Sequence, residues 1–514
     1  MVTRIHVGML AAMPPTPPTT PNPGEPLIRD RGDACPGALR LHAADDGRLA
    51  RLRLPAGLLT AGQVGVLATA AEVLGDGRVS VTSRGNVELR GLGEGCGTEL
   101  AELLAPAGLL PSPTHERVRN VVASPTAGLD GLGGGDVQLW ARELDALLCA
   151  REGTAALSGR FLFVLDDGRG DVAGLGGDVT LIAAGAWAAG DEGTAGSRAS
   201  DGSADRAAPA SRGGVGAQHP GARGADSPGE GTPGTDGPGE GAPGADGPGA
   251  RGADSPGEDG PRAPGADGPR RPDAHLRVGA QVFRVAATDA PRAAVAAAEA
   301  FLVAAHGAGN GAWRVRELPE GHEPDLVGAL ARAGIAAEPV PPTEPPHGEP
   351  PAPGVLGETA LHVLAPLGRL TAEQLRALAA TGGEVRLTPW RGAVVTGFPD
   401  RTAAARRLRA LDAYGLITDP DSPWAGVGAC TGRPGCAKSL ADVRADATPG
   451  RASGLPVHFS GCARRCGHPQ GPHGTWVDVV ATGEGAYLVD GVPTSRTSLT
   501  EAVATARTTA RTTR

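Results

Sequence analysis

Four of the chain's seven cysteines fall within residues 430–466. They arrive as two pairs, Cys430 and Cys436 in ACTGRPGCAKS, then Cys462 and Cys466 in VHFSGCARRCGHP, with spacings C-x5-C and C-x3-C. Four thiolates presented in two pairs are what a cubane 4Fe-4S cluster takes, one thiolate per iron. Gly432, Gly435, Gly461 and Gly467 suit loops whose backbone must approach inorganic sulfide closely. A structural zinc site competes with this reading, although zinc pairs are usually spaced by two to four residues and the first pair here is spaced by five. Four buried structural cysteines are the third possibility, which the clustering disfavours. Cys35, Cys96 and Cys149 lie outside the pattern and read as free thiols. His458 and His468 flank the second pair and read first as core or surface histidines.

The elements that must position these cysteines are legible in part. Residues 437–443 read as a helix directly after Cys436, whose amides would face an anionic group. Residues 455–459 read as a strand ending at the Cys462 loop, and TWVDVVATGEGAYLVDG as a hairpin after it. A last helix is capped at Ser498 with Glu501 three residues on.

Further upstream, a unit occurs twice. Alternation through Leu39 and Leu41, then Leu49, Leu52 and Leu54, predicts two strands around Asp45, Asp46 and Gly47. Thr60 and Gln63 form a capping box that opens a helix with Val64, Leu67, Ala71 and Leu74 on one face. Thr371 and Gln374 form a second box, followed by Leu375, Leu378 and Ala379. The strings GRVSVTSRGNVELRGL and GEVRLTPWRGAVVTGF then match in spacing from Thr82 and Thr388 onward. The same order of elements twice implies a duplicated fold rather than a solenoid.

Between the copies, a helix carries Val137, Trp140, Leu144 and Leu147 on one face. The run LSGRFLFVLDDGRGDVAGLGGDVTLIAAG reads as a hairpin turning at Asp166, Asp167 and Gly168. Residues 190–272 repeat GADSPGE-like strings and cannot bury enough apolar surface to offset their ordering entropy, so they are expected to form a disordered insertion within a hairpin loop. A helix over 291–306 and a proline-rich linker over 338–353 follow.

A net charge of −9 gives no reason to expect a polyanion partner. An odd number of cysteines without a regular framework argues against a secreted disulfide scaffold, and a thiolate-bound cluster favours a reducing cytoplasm. No apolar run approaches the length of a membrane span. The N-terminal stretch is a poor signal peptide, and reads as a disordered tail or an upstream start.

The paired cysteines, the second pair written SGCARRCG, resemble the nitrite and sulfite reductase hemoprotein family. Within it, HFSGCARRCG and the LDDG that follows Phe163 are most similar to the precorrin-3B synthase subgroup. The resemblance implies an α+β fold: two ferredoxin-like half-domains plus two larger α+β domains with pseudo-twofold symmetry. The expected division is a tail at 1–30, half-domains at 31–105 and 356–418, larger domains at 106–337 and 419–514, and a linker at 338–355. It further implies a 4Fe-4S cluster on Cys430, Cys436, Cys462 and Cys466, and a tetrapyrrole where relatives hold siroheme, with Cys466 the nearest thiolate.

Arg84 in T-S-R-G-N and Arg119 in R-N-V-V match the family's tetrapyrrole-facing arginines. With Asn120 and Arg160 they are the expected substrate-binding set, because guanidinium forks recognise carboxylates. Arg117, Arg391, Arg464 and Arg465 are weaker candidates. No catalytic residue is assigned. Where sulfite-reducing members carry K-F-K, this chain has Arg160, Phe161 and Leu162. The missing second cation speaks against repeated protonation of a small anion. It fits an oxidoreductase acting as a monooxygenase of cobalamin biosynthesis, hydroxylating precorrin-3A at C20 with molecular oxygen and closing a γ-lactone. An additional non-heme iron and an electron donor, either an NADH-linked reductase or a ferredoxin, are further implications; nucleic-acid and membrane partners are not expected. The alternatives are a siroheme-dependent assimilatory nitrite or sulfite reductase, and a non-catalytic iron-sulfur redox sensor using the insertion as an interaction arm.

Overall fold

The first hairpin joins β1 (His42–Ala44) to β2 (Gly47–Leu52) about Asp45 and Asp46, and Leu49 and Leu52 turn inward. Leu39 stays outside the strand, exposed, because pairing begins only at His42. This is a computed structural model that describes residue 33 and residues 35–184, 273–450, 454–469 and 474–508. The N-terminal tail and the insertion over 190–272 therefore lie outside the described residues. A two-residue strand β3 (Leu58–Leu59) leads into α1 (Ala61–Leu74), then β4 (Arg78–Val81), β5 (Val87–Leu92) and α2 (Gly97–Leu104).

A larger α+β portion follows: β6 (Val121–Ala123), α3 (Val137–Ala150), β7 (Phe163–Asp166), β8 (Val179–Ala183), β9 (Asp273–Val278), β10 (Gln281–Ala286), α4 (Ala290–Ala308), α5 (Leu326–Arg332) and β11 (Ala337–Pro339). Its sheet has the order β11-β10-β9-β8-β7-β6. The expected hairpin at Asp166, Asp167 and Gly168 does not form. β7 pairs in parallel with both β6 and β8. Both β7 and β8 are buried along their whole length, which is why they read as unbroken apolar runs, the signature of a strand covered on both faces. The antiparallel turn comes one connection later, between β8 and β9. There Ala184 N donates to Asp273 O at 3.0 Å, so the chain leaves and returns at one point, as expected for a lengthened hairpin.

The second copy runs β12 (Gly354–Leu356), β13 (Ala360–Leu364), β14 (Arg369–Thr371), α6 (Ala372–Ala379), β15 (Val385–Leu387), β16 (Gly392–Val395) and α7 (Arg401–Asp412). It continues into β17 (Val427–Ala429), β18 (Val457–Ser460), β19 (Val477–Gly483), β20 (Ala486–Val489), β21 (Val492–Ser495) and α8 (Leu499–Thr508). The helix expected over 437–443 is absent. Ser439 N closes a single turn on Cys436 O at 2.9 Å, but Leu440 N then donates to Gly461 O at 2.7 Å and Ser439 Oγ to Ala441 O at 2.7 Å, so the turn does not propagate and the backbone is tied to the other cysteine loop.

The duplication is reciprocal. The two smaller sheets have the orders β1-β2-β5-β4-β14 and β12-β13-β16-β15-β3, so each copy lends its short third strand to the other's sheet. Before each lent strand the chain makes the same turn, through Pro55, Ala56 and Gly57 or Pro366, Leu367 and Gly368. Ala56 and Leu367 are held there at φ 55° and 50°, a region L-residues rarely adopt. A Cβ on Gly57 would lie 2.0 Å from Leu387 O, which fixes glycine at that crossing. Both capping boxes form: Thr60 Oγ1 accepts from Gln63 N at 3.2 Å, and Thr371 Oγ1 from Gln374 N at 3.1 Å. Both glutamines also anchor the chain after the next helix, Gln63 Nε2 to Ala107 O at 3.0 Å and Gln374 Nε2 to Tyr414 O at 2.8 Å. α1 packs on α6, and apolar residues of both copies share one core. The larger sheets correspond as well: β17, β18 and β19 run parallel and β20 and β21 antiparallel, as in β6 through β10.

The second copy closes the hairpin equivalent to β8–β9 with a tight turn at Glu484 and Gly485. Deleting residues 190–272 and joining the ends with a short Gly/Ser loop should therefore leave a folded protein with unchanged iron and sulfide content. Insolubility or iron loss in that variant would show that the segment supports the fold.

Candidate functional site

Cys430 follows β17, and its amide donates to Phe459 O at 2.9 Å on the neighbouring strand. Its sulfur accepts from Gly461 N at 3.1 Å, which ties the first cysteine to the loop that carries Cys462 and Cys466. The Cys436 loop is held from the far end of the chain. Arg90 makes two 2.9 Å bonds to Asp46 and a 2.7 Å bond to Gly435 O, and Asp45 accepts from Ala437 N. The β1–β2 hairpin thus clamps the second thiol. Burial, together with the nearby Cys430 and Cys462 sulfurs, pushes the Cys466 thiol up, as expected where several thiols converge. None of the four is in a disulfide. One zinc ion, bound at about 2.3 Å, would draw its sulfurs to within roughly 4 Å of one another. Among the described residues, no group of three of these sulfurs lies within 4.8 Å of one another.

His458 is a core histidine. Burial and the nearby Arg391 push it down to about 3, so its ring is neutral and Nε2–H donates to Cys466 O at 3.0 Å. His468 stacks on Trp476, with ring centroids 5.3 Å apart.

Beside the cysteines lies a cavity of about 610 Å3, with Cys430 and Cys466 in its wall. All four portions of the fold contribute arginines to it. Arg51, Arg53 and Arg84 come from the first small sheet and its turn, Arg160, Arg314 and Arg316 from the first larger domain, Arg391 from the second small sheet and Arg444 from the cysteine loops. Arg51 is matched by Glu88, and Arg314 by Asp178 at 2.5 Å. Arg53, Arg84 and Arg444 instead take backbone carbonyls, of Arg117, Arg160 and Leu367 respectively. Burial, reinforced by Arg51, pushes Arg53 down to about 9. Burial and Arg314 push Arg84 down to about 10, and burial with Arg369 and Arg391 does the same to Arg444. Partly or fully buried guanidinium groups that face one cavity without a carboxylate hydrogen-bond partner favour an anion there.

The expected residues divide. Arg84, Arg160 and Asn120 meet at the cavity. Arg160 lies over the Trp313 ring at 4.7 Å, and Asn120 is buried, accepting from Asn86 Nδ2 at 3.0 Å and donating to Phe161 O at 2.9 Å. Arg119 is a correction. It is 5% exposed and gives both ends of its fork to Asp145 on α3, at 2.6 Å each, so it braces a helix and does not line this cavity. Of the weaker candidates only Arg391 lines it; Arg117 bonds Asp33 O, Arg465 bonds Asp478, and Arg464 is exposed. Arg391 sits at φ 63°, where the first copy has Gly85 at φ 68°. Both turns are closed alike, Asn86 N to Thr82 Oγ1 at 3.2 Å and Gly392 N to Thr388 Oγ1 at 3.0 Å. The T-x-R pattern of the first copy thus becomes T-x-x-R in the second. That shift was a readable signal for Arg391. Arg53, Arg314 and Arg444 had none, sitting in unremarkable strand or loop sequence.

Residues 42–107 match the family of the nitrite/sulfite reductase ferredoxin-like half domain. The fold is similar to the structure of the Mycobacterium tuberculosis NirA protein, with a TM-score of 0.57 at 16% identity over 88% of this chain and 79% of that one. The chain thus contains one such half domain and shares the overall fold of that structure. Among curated relatives it is 32% identical to a precorrin-3B synthase of a Sinorhizobium species over 151 residues, 29% of this chain and 32% of that protein. It is 39% identical over 82 residues to a ferredoxin–nitrite reductase of Leptolyngbya laminosa, 16% of each chain. The chain thus spans about a third or less of the length of these curated relatives in the matched stretches. No helix among the described residues is long and apolar enough to cross a membrane.

Serine at any of Cys430, Cys436, Cys462 or Cys466 should abolish or sharply reduce iron and sulfide incorporation, while serine at Cys35, Cys96 or Cys149 should not; metal and sulfide analysis decides. Arg119→Ala should cost on the order of 2 kcal/mol in urea unfolding by stranding Asp145, with iron content unchanged. Unaltered stability would refute the bracing role.

Proposed function

We propose that this chain is a precorrin-3B synthase: an oxidoreductase that hydroxylates precorrin-3A at C20 with molecular oxygen and closes a γ-lactone, in cobalamin biosynthesis. The observation that carries the reading is the arginine-lined cavity with two of the four cysteines in its wall. A late uroporphyrinoid is a polycarboxylate, and a cavity several of whose guanidinium groups bond only backbone carbonyls suits it. Leu162 supports the choice within the fold family. It is 2% exposed and packs with Val122, Val164, Val172 and Trp390, so the segment leading into β7 turns Arg160 but no second cation toward the cavity. A site that repeatedly protonates a small anion would want a cation there. The Sinorhizobium relative's name points the same way.

In this reading Cys430, Cys436, Cys462 and Cys466 hold a 4Fe-4S cluster, which supplies electrons beside the cavity when bound. The reaction balances with one oxygen atom going to C20 and the other leaving as water, given two electrons and two protons from a donor such as an NADH-linked reductase or a ferredoxin. Arg53, Arg84 and Arg160 pair with substrate carboxylates and fix the ring's orientation. Asn120, held from both sides, keeps Asn86 in place, and Asn86 Oδ1 in turn accepts from Leu54 N at 2.8 Å, setting the wall on which Arg53 stands. An additional iron for oxygen activation, and a reducing cytoplasmic setting, belong to the same proposal.

The nitrite reductase relatives and the NirA-like fold favour one competing reading, siroheme-dependent reduction of nitrite or sulfite. Anaerobic equilibrium binding of precorrin-3A, with siroheme as competitor, separates the two. Arg84→Ala should weaken precorrin-3A binding roughly tenfold to a hundredfold, the worth of one charge-assisted contact of about 1.5–3 kcal/mol, at unchanged iron content. Arg84→Lys should recover part of the loss. Tight siroheme binding without precorrin-3A binding would transfer the chain to the reductase reading.

A further inference from the structure

We propose that the carboxyl ends of β6 and β7 bind a hard divalent cation, at the position that corresponds, in the second copy of the fold, to the cysteine site. This inference is independent of the reaction proposed above.

The correspondence is set by strand register. Val121 pairs with Phe163 and Phe163 with Val179, as Val427 pairs with Val457 and Val457 with Val477. Ser124 then occupies the place of Cys430. Ser124 N donates to Leu165 O at 3.0 Å, as Cys430 N donates to Phe459 O at 2.9 Å. Ser124 Oγ accepts from Asp167 N at 3.2 Å, as the Cys430 sulfur accepts from Gly461 N at 3.1 Å. After β18 the chain presents Cys462 and Cys466; at and after the end of β7 it presents Asp166, Asp167 and Asp171. The same backbone frame thus carries sulfur donors in one copy and oxygen donors in the other.

One oxygen from each of Asp166, Asp167 and Asp171 lies within 4.8 Å of the others, and the three side chains are 0%, 1% and 7% exposed. Their existing partners leave a gap. Asp166 accepts from the amides of Gly168, Gly170, Val172 and Ala173. Asp167 is paired with Arg169, which also serves Asp130. Asp171 Oδ1 accepts from Ser124 Oγ at 2.6 Å, but Asp171 Oδ2 is buried without any partner. A buried carboxylate oxygen left unpaired is costly, and the single arginine cannot balance the acids around it. A cation reached by Asp171 Oδ2 and by oxygens of Asp166 and Asp167 removes both deficits. An all-oxygen donor set selects Mg2+, Ca2+ or Mn2+ over softer ions. The site would stiffen the loop on which the linker rests, where Gly348 N donates to Gly170 O at 3.0 Å.

The test is titration of the full-length, cluster-loaded protein with Mn2+, free Mn2+ being read by EPR. One saturable Mn2+ per chain is expected, displaced by Ca2+ or Mg2+ and weakened at least tenfold by Asp171→Asn at unchanged iron and sulfide content. If Asp171→Asn does not accumulate folded, Ser124→Ala serves, since it releases the Asp171 carboxylate and should also weaken Mn2+. No saturable binding by the wild-type protein up to about 1 mM, the weak end of protein calcium sites, overturns the proposal. So does binding that survives unchanged in a folded Asp171→Asn or Ser124→Ala variant, which would place the ion elsewhere.

Discussion

The reciprocal exchange of β3 and β14 is the constraint on which the rest of the structure depends. A strand of two or three residues contributes little by itself, yet each completes an edge of the other copy's sheet. The exchange forces the chain through a Pro-x-Gly turn with a residue in the left-handed region, at a cost of order 1 kcal/mol or more each time. In return the two sheets are locked together, α1 and α6 share a core, and the loops between β4 and β5 and between β15 and β16 face one cavity. Arg84 and Arg391 reach that cavity because those two loops are brought together there.

Much of this was legible because duplication writes the same local chemistry twice. Thr60 with Gln63 and Thr371 with Gln374 are short-range signals, and each formed as read. The cysteine spacing was equally local. What the sequence hid were matters of partnership. Nothing near Arg119 announces Asp145, one helix away, as its counter-ion. The parallel pairing of β7 and β8 was missed because burial on both faces erases the alternation that distinguishes strand directions and turns. The helix over 437–443 failed because Leu440 N bonds Gly461 O on the other cysteine loop instead of continuing the turn, a tertiary competition invisible to periodicity.

The cavity's arginines show the same limit. Arg84 carried a motif, whereas Arg53 follows an ordinary strand and is held inward by the carbonyls of Arg117 and Gly159, far away in sequence. A buried charge becomes recognisable as functional when its partners are listed. Arg314 has Asp178 and Arg51 has Glu88, while Arg53 and Arg444 have carbonyls. Charge without a counter-ion is a property of the assembled fold.

The clamp of Asp45, Asp46 and Arg90 on the Cys436 loop ties residues 345 positions apart in sequence. Free energies exchanged through such a contact are reciprocal. Whatever occupies the thiolates restrains the first hairpin of the chain, and whatever loosens that hairpin lowers the affinity of the thiolates by the same amount. The β1–β2 hairpin and the cysteine loops are thus a single thermodynamic element, so the state of the cysteine site is reported at a surface far from it in sequence.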